Sequence, residues 1–130
     1  MQLVPVTPEA ALERADEAVD LLLEAGRNPG DVLVLTTGAP HPWQQHELSF
    51  GEERYWAQLA EGGDVFYADL ATVRPVRREV VVLVLGPAAA GRAVRTVEQA
   101  LTHAVSLLVV CGATEELAGT PIAGGQAVPA

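Results

Sequence analysis

The stretch E79-VVVLVL-G86 decides the fold. Six consecutive apolar residues, Val80 to Leu85, lie between the charged run Arg77-Arg78-Glu79 and the break Gly86-Pro87. Four of the six are β-branched and none is polar. A strand with one wet face alternates apolar and polar side chains, whereas a strand covered on both faces does not. The run therefore reads as a central strand of a parallel sheet inside an α/β domain. A buried helix is the competing reading, and the valine content, short length and Gly-Pro stop disfavour it. Val32 to Leu35 and Leu107 to Val110 have the same character, so three adjacent buried parallel strands are expected, with the rest of the chain covering them.

A chain of 130 residues has room for one domain with a real core. Apolar residues make up 49% and charged residues 19%, as in ordinary globular α/β proteins. The formal net charge of −9 argues against strong independent nucleic-acid binding, which needs a basic surface. A single cysteine excludes an internal disulfide and fits a reducing, cytoplasmic setting. Met1 to Val6 is too short and too soon broken by Pro5 and Pro8 to read as a signal peptide. No apolar run approaches the ~20 residues that span a bilayer.

In chain order, Gln2 to Val6 reads as a short strand that Pro5 assigns to a sheet edge. Thr7-Pro8-Glu9 supplies a threonine N-cap, a proline at the first helical position and an acid in the first turn. The helix it opens is expected to reach about Ala25, with Gly26 closing it. Leu12, Ala15, Val19 and Leu22 form its inward face, and Glu13, Asp16, Glu17, Asp20 and Glu24 its solvated one. The loop after Leu35 leaves a strand at its carboxyl end, where open α/β sheets bind ligands. Thr36, Thr37, Gly38, His41 and Trp43 are therefore candidate binding residues. His41 and His46 sit five apart in a segment read as a proline-broken, exposed loop, a spacing that suits no helical metal pair, so no metal is expected. Ser49-Phe50-Gly51-Glu52 has the form of a capping box opening a helix to about Ala60, with Tyr55, Trp56 and Leu59 inward.

Val65-Phe66-Tyr67 reads as another strand, and Ala68 to Glu79 as a connector holding Arg74, Arg77 and Arg78, three of the eight basic residues. If an anion is recognised, that connector and the Thr36–Trp43 loop, read as its neighbour, are the places for it. The turn Gly86 to Gly91 has neither the lysine and hydroxyl of a P-loop nor dinucleotide-fingerprint spacing. A helix from about Arg92 to Ala104 follows, with Ala93, Val97, Ala100, Leu101 and Ala104 toward the sheet. Ser106 to Val110 is the next strand, and Cys111 reads as a packed thiol, because a nucleophilic cysteine needs a base beside it. Residues 1–118 form the domain in this reading. Residues 119–130, rich in glycine, alanine and proline, read as a flexible tail.

Two blocks carry a family resemblance. Gln99-Ala100-Leu101-Thr102-His103-Ala104-Val105 followed by Leu107 to Gly112 stands as the equivalent of a helix end V-G-L-[ST]-R-A-[RK] and a strand L-L-V-V-x-G. Val73-Arg74-Pro75-Val76-Arg77-Arg78-Glu79-Val80-Val81-Val82-Leu83 resembles the pattern F-K-G-L-E-x-P-x-V-V-L, with departures. From about Val4 to Gly112 the chain resembles the C-terminal RecA-like domain of UvrD/Rep-type superfamily 1 DNA helicases, of actinobacterial type. The resemblance implies a three-layer, P-loop-NTPase-like α/β domain with a mainly parallel sheet. It also implies nucleotide-facing positions at Arg74, Pro75, Arg77, Thr102 and His103. In the family an arginine finger at the position of His103 stabilises transition-state charge. A neutral imidazole is shorter and is no reliable cation near neutral pH. Proline at 75 removes an N–H that glycine would offer, and Arg77 stands where the family has a ribose-binding glutamate.

With no P-loop and no convergent acid, base and nucleophile, the sequence assigns no catalytic residue and no cofactor. Two functions remain as expectations. One is a stand-alone, catalytically degenerate helicase C-terminal-like module serving as a protein-binding or accessory subunit, its partner a helicase or ATPase domain. The other is a small-molecule-binding protein or enzyme using the loops at the strand carboxyl ends.

Overall fold

A computed structural model describes residues 1–37, 42–71, 73–74, 76–86, 91–112 and 128–129. Its strands are β1 (Gln2–Val4), β2 (Val32–Thr36), β3 (Phe66–Asp69), β4 (Arg78–Val84), β5 (Ala104–Cys111) and the two-residue β6 (Val128–Pro129). Its helices are α1 (Ala11–Glu24), α2 (Pro42–Leu48), α3 (Glu52–Glu61) and α4 (Ala93–Leu101). The strands join one parallel sheet in the order β3-β2-β4-β5-β1-β6. The three apolar runs of the sequence are thus neighbours, with β4 in the middle. Val32 to Leu35 and Val80 to Leu83 are wholly inaccessible, as a strand covered on both faces must be.

Alternate side chains of these strands feed two cores. Val32, Val34, Val80, Val82 and Val84 pack with Ala11, Ala15 and Val19 of α1. Leu33, Leu35, Val81, Leu83 and Leu85 pack with Tyr55 and Leu59 of α3 and with Ala93, Val97 and Ala100 of α4. This is the expected three-layer α/β domain: α1 on one face, α3 and α4 on the other. Small alanines at the helix contacts let α1 and α4 lie close to a sheet whose own residues supply the bulk.

Several local expectations are corrected. α1 begins at Ala11, after a 3-10 turn at Pro8–Ala10, rather than at a threonine cap. Its other end is as expected, at Ala25 and Gly26: Gly26 N–H donates to Leu23 O and Arg27 N–H to Leu22 O, with Gly26 at φ +99°. That paired bonding is a Schellman motif, and it needs the left-handed residue that glycine supplies. Ser49 does not cap α3; its hydroxyl donates to His46 O, and the N-cap of α3 is Gly51, with no side-chain bond. The segment read as a broken loop is helical from Pro42, because proline at a first helical position removes only an N–H the helix does not use. α4 ends at Leu101, so Ala104 opens β5 instead of facing the sheet from a helix. Pro5 lies outside β1, which pairs β5 on one side and β6 on the other and is no free edge. Of the segment read as a tail, Val128 and Pro129 are described, as that outer strand.

Candidate functional site

Because every strand runs the same way, the sheet has an amino end and a carboxyl end, and the sequence-proposed residues divide between them. Arg74, Arg77, Thr102 and His103 precede β4 or β5, Arg78 opens β4, and all gather toward the amino end. Thr36 and Thr37 lie at the carboxyl end, beside Val84 and Gly86. The expectation that the basic connector and the threonine loop are neighbours is therefore wrong: the connector enters β4 as the loop leaves β2, and parallel pairing sets the two at opposite ends. Pro75, Gly38 and His41 lie outside the described residues. Trp43 falls within α2.

At the amino end, cationic and polar groups meet backbone carbonyls. Arg78 is buried, and its guanidinium donates to Val32 O at 2.9 Å, Asp64 O at 2.8 Å and Leu59 O at 3.4 Å. It joins the start of β2, the end of α3 and the turn before β3, with its charged carbon 5.8 Å from the centroid of the Phe66 ring. Burial lowers its affinity for a proton, and the carboxylates of Asp31 and Asp64 oppose that shift. Next to it a Cβ on Gly30 would lie 1.7 Å from Gly62 O, so the turn at Pro29–Asp31 can approach the end of α3 only with glycine there. The half-buried ring of His103 bonds Val76 O through Nδ1 at 2.7 Å. A carbonyl only accepts, so Nδ1 carries the proton. His103 O in turn accepts from Arg78 N–H at 2.9 Å. Arg77 reaches Ala104 O at 3.4 Å, Thr102 bonds back to Gln99 O, and Arg74 lies over the Trp56 ring at 4.6 Å.

The carboxyl end is closed by hydroxyls. Thr36 is buried and donates to Ala68 O at 3.4 Å. Thr37 donates to Val84 O at 2.7 Å and accepts from Gly86 N–H at 3.1 Å, which bridges β2 and β4 where the chain path reverses. Sheets of this kind bind ligands at such a reversal when the helices that follow diverge to opposite faces. Here α3 and α4 pack on the same face, and the threonine spans the gap. Cys111 is buried nearby, with its thiol pushed up to about 11 by burial, so it is the packed, inert thiol the sequence suggests.

A third place escaped the sequence. A cleft of about 280 Å³ opens beside the outer strand β3 and is lined from α1, α2, α3 and β3. In its wall lies Gln44 of α2, 7% exposed, whose buried Oε1 has no hydrogen-bond partner among the described residues. Tyr55 donates its hydroxyl to Tyr67 O, and burial raises its pKa beyond the usual phenol range. Tyr67 is pushed up to about 12, first by burial and then by the charges of Asp16, Asp64 and Asp20. Asp16 and Asp20 are one turn apart on α1, and only the folded chain brings them to Asp64. The one signal for the site in the sequence is Gln44 itself, the second residue after a proline that starts a helix.

Among the described residues, no group of three or more histidine, cysteine, aspartate or glutamate side chains could hold a metal ion, and no helix is long and apolar enough to cross a membrane. No protein-family model matches the chain, and no curated protein matches it.

Proposed function

We propose that the chain is a helicase C-terminal-like module without ATP chemistry of its own, acting as a protein-binding accessory subunit to a helicase or ATPase domain. One observation carries this reading: the described side chains at the resemblance's nucleotide-facing positions are engaged within the domain, Arg74 on the Trp56 ring and the others on backbone. His103 holds Val76 O, Arg77 reaches Ala104 O, and the adjacent Arg78 holds three carbonyls. A γ-phosphate contact would need a long, free cation at the end of α4, and a short imidazole held to Val76 O through Nδ1 supplies none. The parallel three-layer scaffold supports the same origin, although fold alone does not carry function.

The alternative, a ligand at the strand carboxyl ends, gains nothing from Thr36 and Thr37, whose hydroxyls bind backbone. The test has two parts. Pure protein titrated with a fluorescent ATP analogue, and assayed for phosphate release with single-stranded DNA, is expected to give neither binding nor turnover. His103→Arg is expected to leave both unchanged, because no P-loop is present. Co-migration with purified superfamily 1 helicases of the same host is expected, and is expected to weaken in an Arg74→Glu/Arg77→Glu double variant. DNA-stimulated phosphate release that disappears in His103→Ala would overturn the reading.

A further inference from the structure

The cleft beside β3 has three features that point to a ligand. Its volume of about 280 Å³ compares with ~30 Å³ for one water in the liquid and approaches the ~300 Å³ of small ligand pockets. Its rim is negative: Asp20 and Asp64 line it, and with Asp16 they raise the proton affinity of Tyr67 beside it. Its wall holds Gln44 Oε1, buried without a donor. Such an acceptor carries its full desolvation cost unless something donates to it. Gln44 itself lines the cleft, and the terminal torsion of glutamine is soft enough for its amide to re-aim.

We propose that this cleft binds a small organic cation, a guanidinium or ammonium group on an apolar stem. Asp20, Asp64 and Gln44 Oε1 accept its hydrogen bonds, and Val19, Leu23 and Tyr67 surround the stem. The two carboxylates in the lining disfavour an anion. A purely apolar ligand would leave Oε1 orphaned. The carboxylates do not form a group that could hold a metal ion, which favours a cation whose charge is spread over several donors. The buried guanidinium of Arg78 is turned to the carbonyls of Val32, Leu59 and Asp64 and is not part of the lining; its charge acts on Asp64 but not on Asp20. The same chemistry can come from a free metabolite or from an arginine side chain of a protein, and two probes distinguish them.

The full chain is titrated with butylguanidinium, with its neutral isostere butylurea, and with an N-acetyl arginine peptide amide, while backbone amide shifts are followed by NMR. Butylguanidinium or the peptide is expected to shift amides of α1, α2 and β3, with weaker binding at high salt and none for butylurea. Whichever of the two cations binds tighter identifies the source. Asp20→Asn, an exposed change on α1 that leaves the core intact, and Gln44→Leu are each expected to weaken binding about fivefold or more. Equal binding of butylurea, absence of shifts at the cleft, or affinity unchanged in Asp20→Asn overturns the proposal. Should Gln44→Leu not fold, the Asp20→Asn result alone decides.

Discussion

Arg78 and Gln44 are both buried polar side chains, one at the amino end of the sheet and one beside its outer strand. They solve the cost of burial differently. The guanidinium of Arg78 meets three carbonyls from three separate segments, so its polarity is spent on holding β2, α3 and the turn before β3 together. Gln44 leaves an acceptor unmet beside an open cleft. A buried polar group with its partners in place is explained by the fold. One without them stores a cost that an incoming molecule can relieve. This difference separates a structural residue from a candidate for recognition more sharply than charge does, because on charge alone Arg78 was the stronger candidate.

The largest effect that would break this contrast is at Arg78. Arg78→Met keeps most of the apolar stem but removes every donor. At about 1–3 kcal/mol for each buried group left unsatisfied, the loss is expected to be of order 3 kcal/mol or more. Chemical denaturation with an unchanged m-value measures it. A loss under about 1 kcal/mol would mean that the three carbonyls find water, and that Arg78 is less structural than its contacts imply.

Alkaline pH probes the cleft together with the carboxyl end of the sheet. The folded state holds Tyr67 at about 12 against an ordinary 10, and Cys111 at about 11 against an ordinary 9. Raised acid groups bind more protons folded than unfolded, so stability is full below pH 9 and falls as pH rises through about 11 and 12. Denaturation midpoints from pH 8 to pH 12 are expected to decline. The decline is expected to be shallower above pH 10 in Tyr67→Phe, which sharpens the case that the acids around the cleft act on that phenol. An unaltered slope in the variant would remove Tyr67 from the account. His103→Ala is expected to cost less than Arg78→Met, about 1 kcal/mol for one half-buried bond to Val76 O.

Much of the fold was legible because burial on both faces leaves a mark in one dimension. Val80 to Leu85 could not alternate, and the three runs that behave alike became β2, β4 and β5 in contact. Boundaries were legible only where one residue type is obligatory, as at Gly26. Elsewhere the local signal lost to competition. The hydroxyl of Ser49, read as a cap for α3, bonds back to α2 instead. Pro42, read as a breaker, starts that helix. The gathering of Arg77, Arg78 and His103 was missed, because the connector was read as the neighbour of the Thr36–Trp43 loop, although parallel strands put their entries at one end. The cleft was not visible, because it needs α1, α2, α3 and β3 together. Asp20 and Asp64 are 44 positions apart, and each alone reads as a solvated acid.

The smallest expected effect sharpens the contrast most. Gln44→Leu places a side chain of similar reach and no polarity in the same wall. If Oε1 lacks a donor in the unliganded protein, the substitution removes an uncompensated acceptor. Replacing an unsatisfied buried polar group by an apolar one is nearly neutral or stabilising. The expected change in folding free energy is therefore within about 1 kcal/mol of zero, with the sign toward greater stability. The same variant is expected to lose affinity for butylguanidinium. Residues kept for recognition often weaken the fold that carries them, so stability unchanged or raised while binding falls is the signature of a functional residue. Denaturation and titration on one preparation measure both. A loss of more than about 2 kcal/mol would show that Gln44 is bonded as firmly as Arg78, and the distinction between the two regions would collapse.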